Sequence, residues 1–312
     1  MKINYNILWV ENELDWLESI EDEIKDFIEE QGFCFVCDIA NGKSEIIGYN
    51  KYDIILMDLN LASEPTGDEI IQEIRNNNIY TDVVLYSASD ISLTRSKGKE
   101  RELDGVYYSG RNADLFLNKV KQVIATTIRK TQDLANIRGL VMAEVSELDV
   151  MMADILAIFM RSDKNLQKFH DKVTSDRERT IHNWLEHPEC KKDCKLLIRK
   201  ASPEYIISNL DASQKARGVN LLLKMLNSQG ISLYCPLNGK GFMENYENDI
   251  IHMRNNLAHC MSVETEVDGK EILKTHKGDI IFSAENFIGI RKSIVEYRNL
   301  FAKILTYLCS KD

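Results

Sequence analysis

The chain has 312 residues, of which 44% are hydrophobic and 28% charged, and its formal net charge is −10. This composition is typical of a soluble protein long enough for two domains, and the negative balance argues against coating of nucleic acid by charge alone. No long apolar run follows residues 1–6, and no stretch of about 18 apolar residues occurs, so we expect neither a signal peptide nor a membrane span. Seven cysteines without an export signal favour reduced thiols in a cytoplasmic protein.

The first part of the chain alternates between short apolar runs and helical patterns. Strands are predicted at residues 7–10, 33–39, 53–57, 82–86 and 105–108. Helices are predicted at residues 14–27, 44–49 and 66–75. In the first of these helices the candidate buried positions are Leu14, Trp16 or Leu17, Ile20, Ile24 and Phe27.

Apolar strands bounded by helices predict a doubly wound parallel sheet covered on both faces. Ligands of such sheets bind outside the carboxyl ends of the strands. Four polar residues fall at that edge, namely Glu11, Asn12, Asp58 and Ser87. We therefore expect a site there.

Over about residues 4 to 125 this pattern resembles the receiver domain of response regulators. The matched features are the acidic turn at residues 10–13, the lone Asp58 after the third strand, Ser87-Ala88 after the fourth, and Asp104-Gly105 before the fifth. The resemblance implies a flavodoxin-like five-stranded fold. It also implies that Asp58 takes a phosphoryl group from a partner such as a sensor histidine kinase.

The same resemblance implies a Mg²⁺ site at Glu11, Asn12 and Asp58, and a hydroxyl at Ser87 that senses the phosphoryl group. Hard oxygen ligands suit Mg²⁺, which offsets phosphoryl charge. Two positions depart from the family pattern, because Asn12 replaces an acid and Ser109 stands near the place of the family's lysine. Arg111 is a nearby, shifted cation. The alternative is a degenerate receiver that serves only for dimerisation or docking.

Residues 112–160 contain no proline and predict one long helix, or two in close succession, between the domains. We place a receiver-like domain at residues 1–128 and a helical domain at 129–312. Within the second domain, helices are predicted at residues 171–184, 204–210, 211–226 and 246–261, and a final helix begins at residues 283–285. A small β-hairpin is predicted between residues 264 and 282.

The fourth of these helices carries Arg254, Asn255 and His259. Arg offers a fork of donors to a phosphate, and His titrates near neutrality. Asn255 and His259 are four residues apart and share a helix face, whereas Arg254 and His259 lie roughly 140° apart around the axis. A second helix or a second subunit is therefore expected to complete any joint site.

Residues 254–259 resemble the Arg-polar-x-x-x-His signature of HEPN domains, the higher-eukaryote and prokaryote nucleotide-binding family. The helical character of residues 135–310 agrees with it, but only the hexamer carries identity. The resemblance implies a homodimer that acts as a metal-independent endoribonuclease. The RNA 2′-OH would be the nucleophile, His259 would move protons, and Arg254 would stabilise charge on phosphorus. Asn255 would orient the histidine or the phosphate.

Other interpretations stay open. Arg and Asn on a helix are usually a solvated face, and HEPN domains that only bind nucleotides or partners exist. His182, His187, Cys190 and Cys194 form a weak zinc candidate, and the basic run at residues 191–200 is more often solvated than RNA-binding. Cys34 and Cys37 have redox spacing, but three positions along a strand point them to opposite faces.

The leading prediction is a response-regulator-like protein whose receiver controls a ribonuclease, with a role in stress or phage defence as the family habit suggests. The alternative is a non-enzymatic signalling adaptor, in which a degenerate receiver is joined to a helical domain that binds a nucleotide or a protein.

Overall fold

The structure is a computed structural model. It describes residues 3–62, 65–131, 133–174, 202–236, 238–259, 261–264, 271–275 and 278–311. The chain divides into two compact units. The first comprises Met1–Ile137 and Ser283–Lys292, and the second comprises Arg138–Phe282 and Ser293–Asp312.

The first unit is built on a five-stranded parallel sheet. Its strands are β1 (Asn4–Val10), β2 (Cys34–Ala40), β3 (Ile54–Asp58), β4 (Asp82–Ser87) and β5 (Val106–Gly110). They lie in the order β2-β1-β3-β4-β5, and each neighbouring pair is parallel. This is the flavodoxin-like doubly wound order, with its switch point between β1 and β3. The predicted fold class of this half is confirmed.

Helices lie between these strands or follow the last of them along the chain. They are α1 (Leu14–Glu18), α2 (Glu21–Glu30), α3 (Gly67–Asn76), α4 (Ile91–Glu100) and α5 (Ala113–Thr131). Alternate residues of β3 enter different cores, since Ile54 and Leu56 pack in one buried cluster while Ile55 and Met57 pack in the other. Each face of the sheet is therefore covered, which explains why its strands read as continuous apolar runs.

Several local predictions were wrong. The helix expected at residues 44–49 is only one 3-10 turn at Lys43–Glu45, and the helix expected at 14–27 is split into α1 and α2. Leu14 is 52% exposed because it opens α1 on the solvent side. Helix α4 was not predicted, since its buried positions are Thr94 and Gly98 rather than an apolar stripe.

The segment Ser283–Lys292 also belongs to the first unit. Arg291 is fully buried there, donates from Nε to the Gln31 carbonyl at 2.8 Å, and lies over the Phe33 ring. Gly32 (φ +79°) permits this approach, since a Cβ on it would lie 2.8 Å from the Arg291 Cβ. The sequence patterns did not predict this return of the chain.

The remaining helices are α6 (Leu134–Phe159), α7 (Asp163–Phe169), α8 (Pro203–Ser208), α9 (Ala212–Ser228), α10 (Phe242–Tyr246), α11 (Met253–His259) and α12 (Ala284–Cys309). π-helical turns occupy His170–Thr174 and Glu247–His252. The long segment at residues 112–160 is thus two helices, α5 and α6, rather than one. The predicted helical character of this half is confirmed.

A small antiparallel sheet lies between α11 and α12 in the sequence. Its strands are β6 (Met261–Glu264), β7 (Glu271–Thr275) and β8 (Gly278–Phe282), in that order. The predicted hairpin corresponds to β7 and β8, and β6 adds a third strand to it. Among the described residues, no helix has the length and apolar character needed to cross a membrane.

Candidate functional site

The carboxyl ends of four strands meet at one edge of the parallel sheet. Met57 of β3 pairs with Val10 of β1, so Glu11 and Asp58 both follow this pair directly. Asp58 pairs with Tyr86 of β4, and the next residue, Ser87, pairs with Gly110 of β5. Glu11 and Ser87 are fully buried, and Asp58 is 2% exposed. The predicted edge therefore holds a buried acidic pocket.

Protein donors already bind both carboxylate oxygens of Glu11. Its Oε1 accepts a bond from the Glu13 backbone N–H at 2.8 Å. Its Oε2 accepts from the Tyr86 hydroxyl at 2.9 Å, and that hydroxyl accepts in turn from Trp9 Nε1 at 2.8 Å. Burial, together with the charge of Glu11, raises the pKa of Tyr86 and keeps it a neutral donor. The sequence pattern predicts Tyr86 only as a strand residue.

Arg111 supplies the cation of this pocket. One guanidinium nitrogen lies 3.2 Å from Glu11 Oε2 and the other lies 2.7 Å from Glu13 Oε1. The guanidinium also stacks over the Trp16 ring, at 5.2 Å from its centroid. The Arg111 backbone N–H donates to the Ser87 carbonyl at 2.9 Å, which fixes the start of this loop. The side chain is only 11% exposed.

Ser109, the residue predicted near the family's lysine position, is placed differently. Its hydroxyl donates to the adjacent Gly110 carbonyl at 3.1 Å, and the residue is buried. A serine hydroxyl carries no charge, and this one is committed to its own strand. Arg111 therefore makes the cationic contact from two residues further along the chain.

Asp58 is buried beside the Glu11 carboxylate and the Arg111 guanidinium. Burial first, and then the charge of Glu11, raises its pKa from 3.8 to about 6. The Asn60 backbone N–H, which donates to Asp58 Oδ1 at 3.3 Å, and the charge of Arg111 act in the opposite direction. The Asp58 carboxylate therefore gains strongly from any further positive charge.

A hydroxyl group completes the pocket. The Ser87 Oγ accepts bonds from the Asn60 side-chain amide at 2.9 Å and from the Ser89 backbone N–H at 3.1 Å. Its own O–H is left to donate. Asn60 was not predicted as a pocket residue, although it follows Asp58 by two positions in the loop.

The backbone around Asp58 is held by Gly67. The Gly67 N–H donates to the Leu59 carbonyl at 3.1 Å, and a Cβ on Gly67 would lie 2.1 Å from the Asp58 carbonyl oxygen. Only glycine fits this approach. At the same place the Thr66 backbone N–H donates to Glu69, which caps α3.

Oxygen donors for a divalent ion are present in this pocket. The Asn12 side-chain oxygen is buried and accepts no hydrogen bond from the described residues, so it is available as a ligand to an ion. With the two carboxylates of Glu11 and Asp58 it forms a hard-oxygen set that suits Mg²⁺. Among the described residues no cluster of three or more His, Cys, Asp or Glu side chains could hold a metal. The amide oxygen is thus needed as the third ligand.

The second predicted site lies on α11, directly after the π-helical turn Glu247–His252. Arg254 is half-buried, and its Nε is buried without a partner. Arg254 lines a cleft of about 460 Å³ with Ser146, Asp149 and Asp211. Asp149 pairs with Lys215 there at 2.5 Å through one oxygen, while its other oxygen has no partner. The cleft therefore offers both donors and acceptors to a ligand.

Asn255 and His259 are exposed, and neither lines the described wall of this cleft. The helix thus presents Arg254 apart from the other two, as the angular spacing predicts. Aromatic packing fixes the preceding turn, since Tyr246 packs edge-on to Tyr297, whose hydroxyl donates to Asp249 at 3.0 Å. π-helical turns often mark functional sites.

The minor candidates add no site. Cys34 and Cys37 are not joined in a disulfide, and burial raises the pKa of Cys37 to about 12, so the Cys37 thiol is unreactive at neutral pH. The zinc candidates His182, His187, Cys190 and Cys194, the predicted helix beyond residue 174 and the basic run at 191–200 lie outside the described residues.

Solved structures that are similar to this protein match about 40% of the chain, at its N-terminal end. A receiver domain of response regulator 1452 from Francisella is 22% identical and has a TM-score of 0.33, covering 40% of this chain and 99% of that one. A two-component response regulator from Clostridium difficile is 24% identical, with a TM-score of 0.31 and coverages of 39% and 97%.

A third similar structure is the non-phosphorylated HemR receiver domain from Leptospira biflexa. It is 18% identical with a TM-score of 0.33, and the match covers 39% of this chain and 95% of that one. No family model matches the chain, and no curated protein matches it.

Proposed function

We propose that this chain is a response-regulator-like protein and that Asp58 is its phosphoacceptor. One observation carries this proposal: Asp58, Glu11, Ser87 and Arg111 converge at the carboxyl edge of a flavodoxin-like sheet. An isolated strand-end aspartate would not require a buried second carboxylate, a buried hydroxyl and a largely buried cation beside it.

In the proposed reaction the Asp58 carboxylate attacks the phosphorus of a donor. A bond forms between Asp58 Oδ and phosphorus, and the bond between phosphorus and the donor's leaving group breaks. Glu11, Asn12 and Asp58 are the residues that would hold Mg²⁺, which when bound offsets the negative charge of the phosphoryl oxygens. The free O–H of Ser87 is the group that would donate to the phosphoryl group on Asp58.

We further propose that the helical unit is a metal-independent endoribonuclease that acts as a homodimer under control of the receiver. Arg254 has a buried, unpartnered Nε beside an open cleft, which supports a role in binding phosphate. Exposed His259 and Asn255 support a proton-transfer group that works against a second surface. RNA supplies the nucleophile through its own 2′-OH.

The phosphorylation proposal is tested by intact-mass measurement after incubation with a small phosphodonor and Mg²⁺. The parent protein should gain one phosphoryl mass, and Asp58→Asn should gain none. Asp53→Asn, which removes another carboxylate from the first unit, is the matched control and should gain it. A parent protein that remains unmodified would contradict the proposal.

The ribonuclease proposal is tested with labelled RNA in EDTA, with and without the phosphodonor treatment applied beforehand. Cleavage should leave a 2′,3′-cyclic phosphate and should be lost in His259→Ala. His252→Ala removes a second exposed histidine from the same segment, so it controls for loss of imidazole as such. Equal cleavage by His259→Ala and the parent would refute the assignment.

The second candidate function is a non-enzymatic adaptor. Two observations favour it: the neutral Asn12 weakens the metal site, and Arg254 lies away from His259. In that case the purified protein should retain a nucleotide or bind a protein partner. It should also cleave no RNA in either state of Asp58.

A further inference from the structure

We infer that Arg111 is a tethered cation that occupies Glu11 in the resting pocket, so that a divalent ion can reach Glu11 only when the guanidinium leaves. This inference deepens the proposed function, since it concerns control of the same Asp58 site. It rests on the contacts of Arg111 with Glu11, Glu13 and Trp16.

Both carboxylate oxygens of Glu11 already accept bonds from protein donors. Its Oε1 binds the Glu13 N–H at 2.8 Å, and its Oε2 binds both the Tyr86 hydroxyl at 2.9 Å and Arg111 at 3.2 Å. Three protein donors therefore take most of the roughly four lone-pair directions of this carboxylate. Of these three donors, Arg111 is the one that carries a charge.

Asn12 and Asp58 offer side-chain oxygens to a cation. The Asn12 side-chain oxygen has no partner, and the Asp58 carboxylate accepts from backbone N–H groups alone, including that of Asn60 at 3.3 Å. A cation entering the pocket can therefore bind the oxygens of Asn12 and Asp58. The negative charge of Glu11, in contrast, is already neutralised by the Arg111 guanidinium. The guanidinium and the metal compete for one carboxylate.

The Arg111 guanidinium has two contacts besides Glu11. Its other nitrogen holds Glu13 at 2.7 Å, and Glu13 is 62% exposed at the rim. Trp16 provides a flat surface under the guanidinium, at 5.2 Å from the ring centroid. Glu13 and Trp16 can thus keep Arg111 at the rim after it leaves Glu11. From there it remains close to a phosphoryl group on Asp58.

The pocket should therefore bind a divalent metal ion weakly while Arg111 contacts Glu11, and more tightly once the guanidinium is removed. For a divalent ion beside a unit charge in a partly solvated pocket, repulsion of this kind changes affinity by about tenfold or more. The neutral variants Arg111→Gln and Arg111→Met should therefore bind the metal ion more tightly than the parent. Arg111→Met also preserves the packing on Trp16. Arg111→Lys keeps the charge and should bind like the parent.

The test is a binding titration of the full chain with Mn²⁺, with the free ion measured by electron paramagnetic resonance and with Mg²⁺ as competitor. Lys99→Gln removes an exposed positive charge from α4 and is the matched control. The expected result is at least about tenfold tighter binding by Arg111→Gln and Arg111→Met, and no change in Lys99→Gln. Tryptophan emission should shift with metal in the parent and lose that shift in Trp16→Phe.

Unchanged or weaker binding by the folded neutral variants would overturn the inference, as would a chain that binds no metal in any variant. The titration needs no phosphodonor, so its outcome is separate from the phosphorylation test. If Asp58 accepts no phosphoryl group but the neutral variants bind metal more tightly, the proposed function fails and the inference stands. If Asp58 is phosphorylated and the variants bind as the parent does, the reverse holds.

Discussion

Replacing Asp58 by Asn should stabilise the first unit at alkaline pH. Burial and the charge of Glu11 raise the pKa of Asp58 from 3.8 to about 6. A group with a raised pKa in the folded state binds more protons there than in the unfolded chain. Its contribution to stability is therefore complete below pH 3.8, falls as pH rises, and is lost above pH 6. Asn is neutral at every pH and escapes this loss.

The size of the expected stability gain follows from the difference between the two pKa values of Asp58, 3.8 in the unfolded chain and about 6 in the folded protein. At about 1.36 kcal/mol per pH unit, a pKa displaced from 3.8 to about 6 costs at most about 3 kcal/mol at pH 8. Water at the open end of the sheet reduces this, so we expect Asp58→Asn to gain about 1 to 2 kcal/mol. Roughly half of the gain should remain at pH 5, and almost none at pH 3.5.

The assay is urea unfolding at pH 5 and pH 8 in EDTA, so that no metal neutralises the pocket. Tryptophan fluorescence reports on the first unit through Trp9 and Trp16 when the third tryptophan is removed by Trp184→Phe. Asp26→Asn changes an exposed carboxylate on α2 and should stay within about 0.5 kcal/mol of the parent. An Asp58→Asn variant no more stable than the parent at pH 8, or equally stabilised at both pH values, would refute the reasoning.

Three further outcomes follow from the described contacts. Tyr86→Phe should lower the free energy of unfolding by about 1 to 3 kcal/mol, because Glu11 and Trp9 both lose a buried partner; the same urea titration measures it, and an unchanged midpoint would contradict it. Gly67→Ala should lower the melting temperature more than Gly98→Ala, since a Cβ on Gly67 would lie 2.1 Å from the Asp58 carbonyl oxygen, whereas the atoms nearest a Cβ on Gly98 would belong to the Tyr108 side chain and not to backbone. Similar melting temperatures would show that the backbone at Asp58 can yield. Arg291→Met should be neutral or stabilising by about 1 kcal/mol in thermal unfolding, because two buried nitrogens of the Arg291 guanidinium lack partners. Arg291→Ala should instead destabilise the protein, because it leaves a cavity. A destabilised Arg291→Met variant would show that the charge is needed.

The sequence alone determined the fold class of the first unit and the location of its site. Five apolar runs, with helical patterns after the first, third and fifth, indicate a parallel sheet, and parallel strands bring their carboxyl ends to one edge. Glu11, Asp58 and Ser87 follow the ends of three such strands, so their meeting needed no knowledge of packing. The spacing on α11 likewise separated Arg254 from His259, since it depends only on the helical repeat.

The tertiary structure decided which side chains complete the pocket and how they share its charge. Tyr86 and Asn60 contact Glu11 and Ser87 across β4 and its neighbouring loop, and such contacts leave no periodic signal in the sequence. The reach of Arg111 to Glu11 depends on the loop after β5, which is held by one backbone bond to Ser87. Sequence placed a cation near this site; only packing showed that its guanidinium already binds the carboxylate a metal would need.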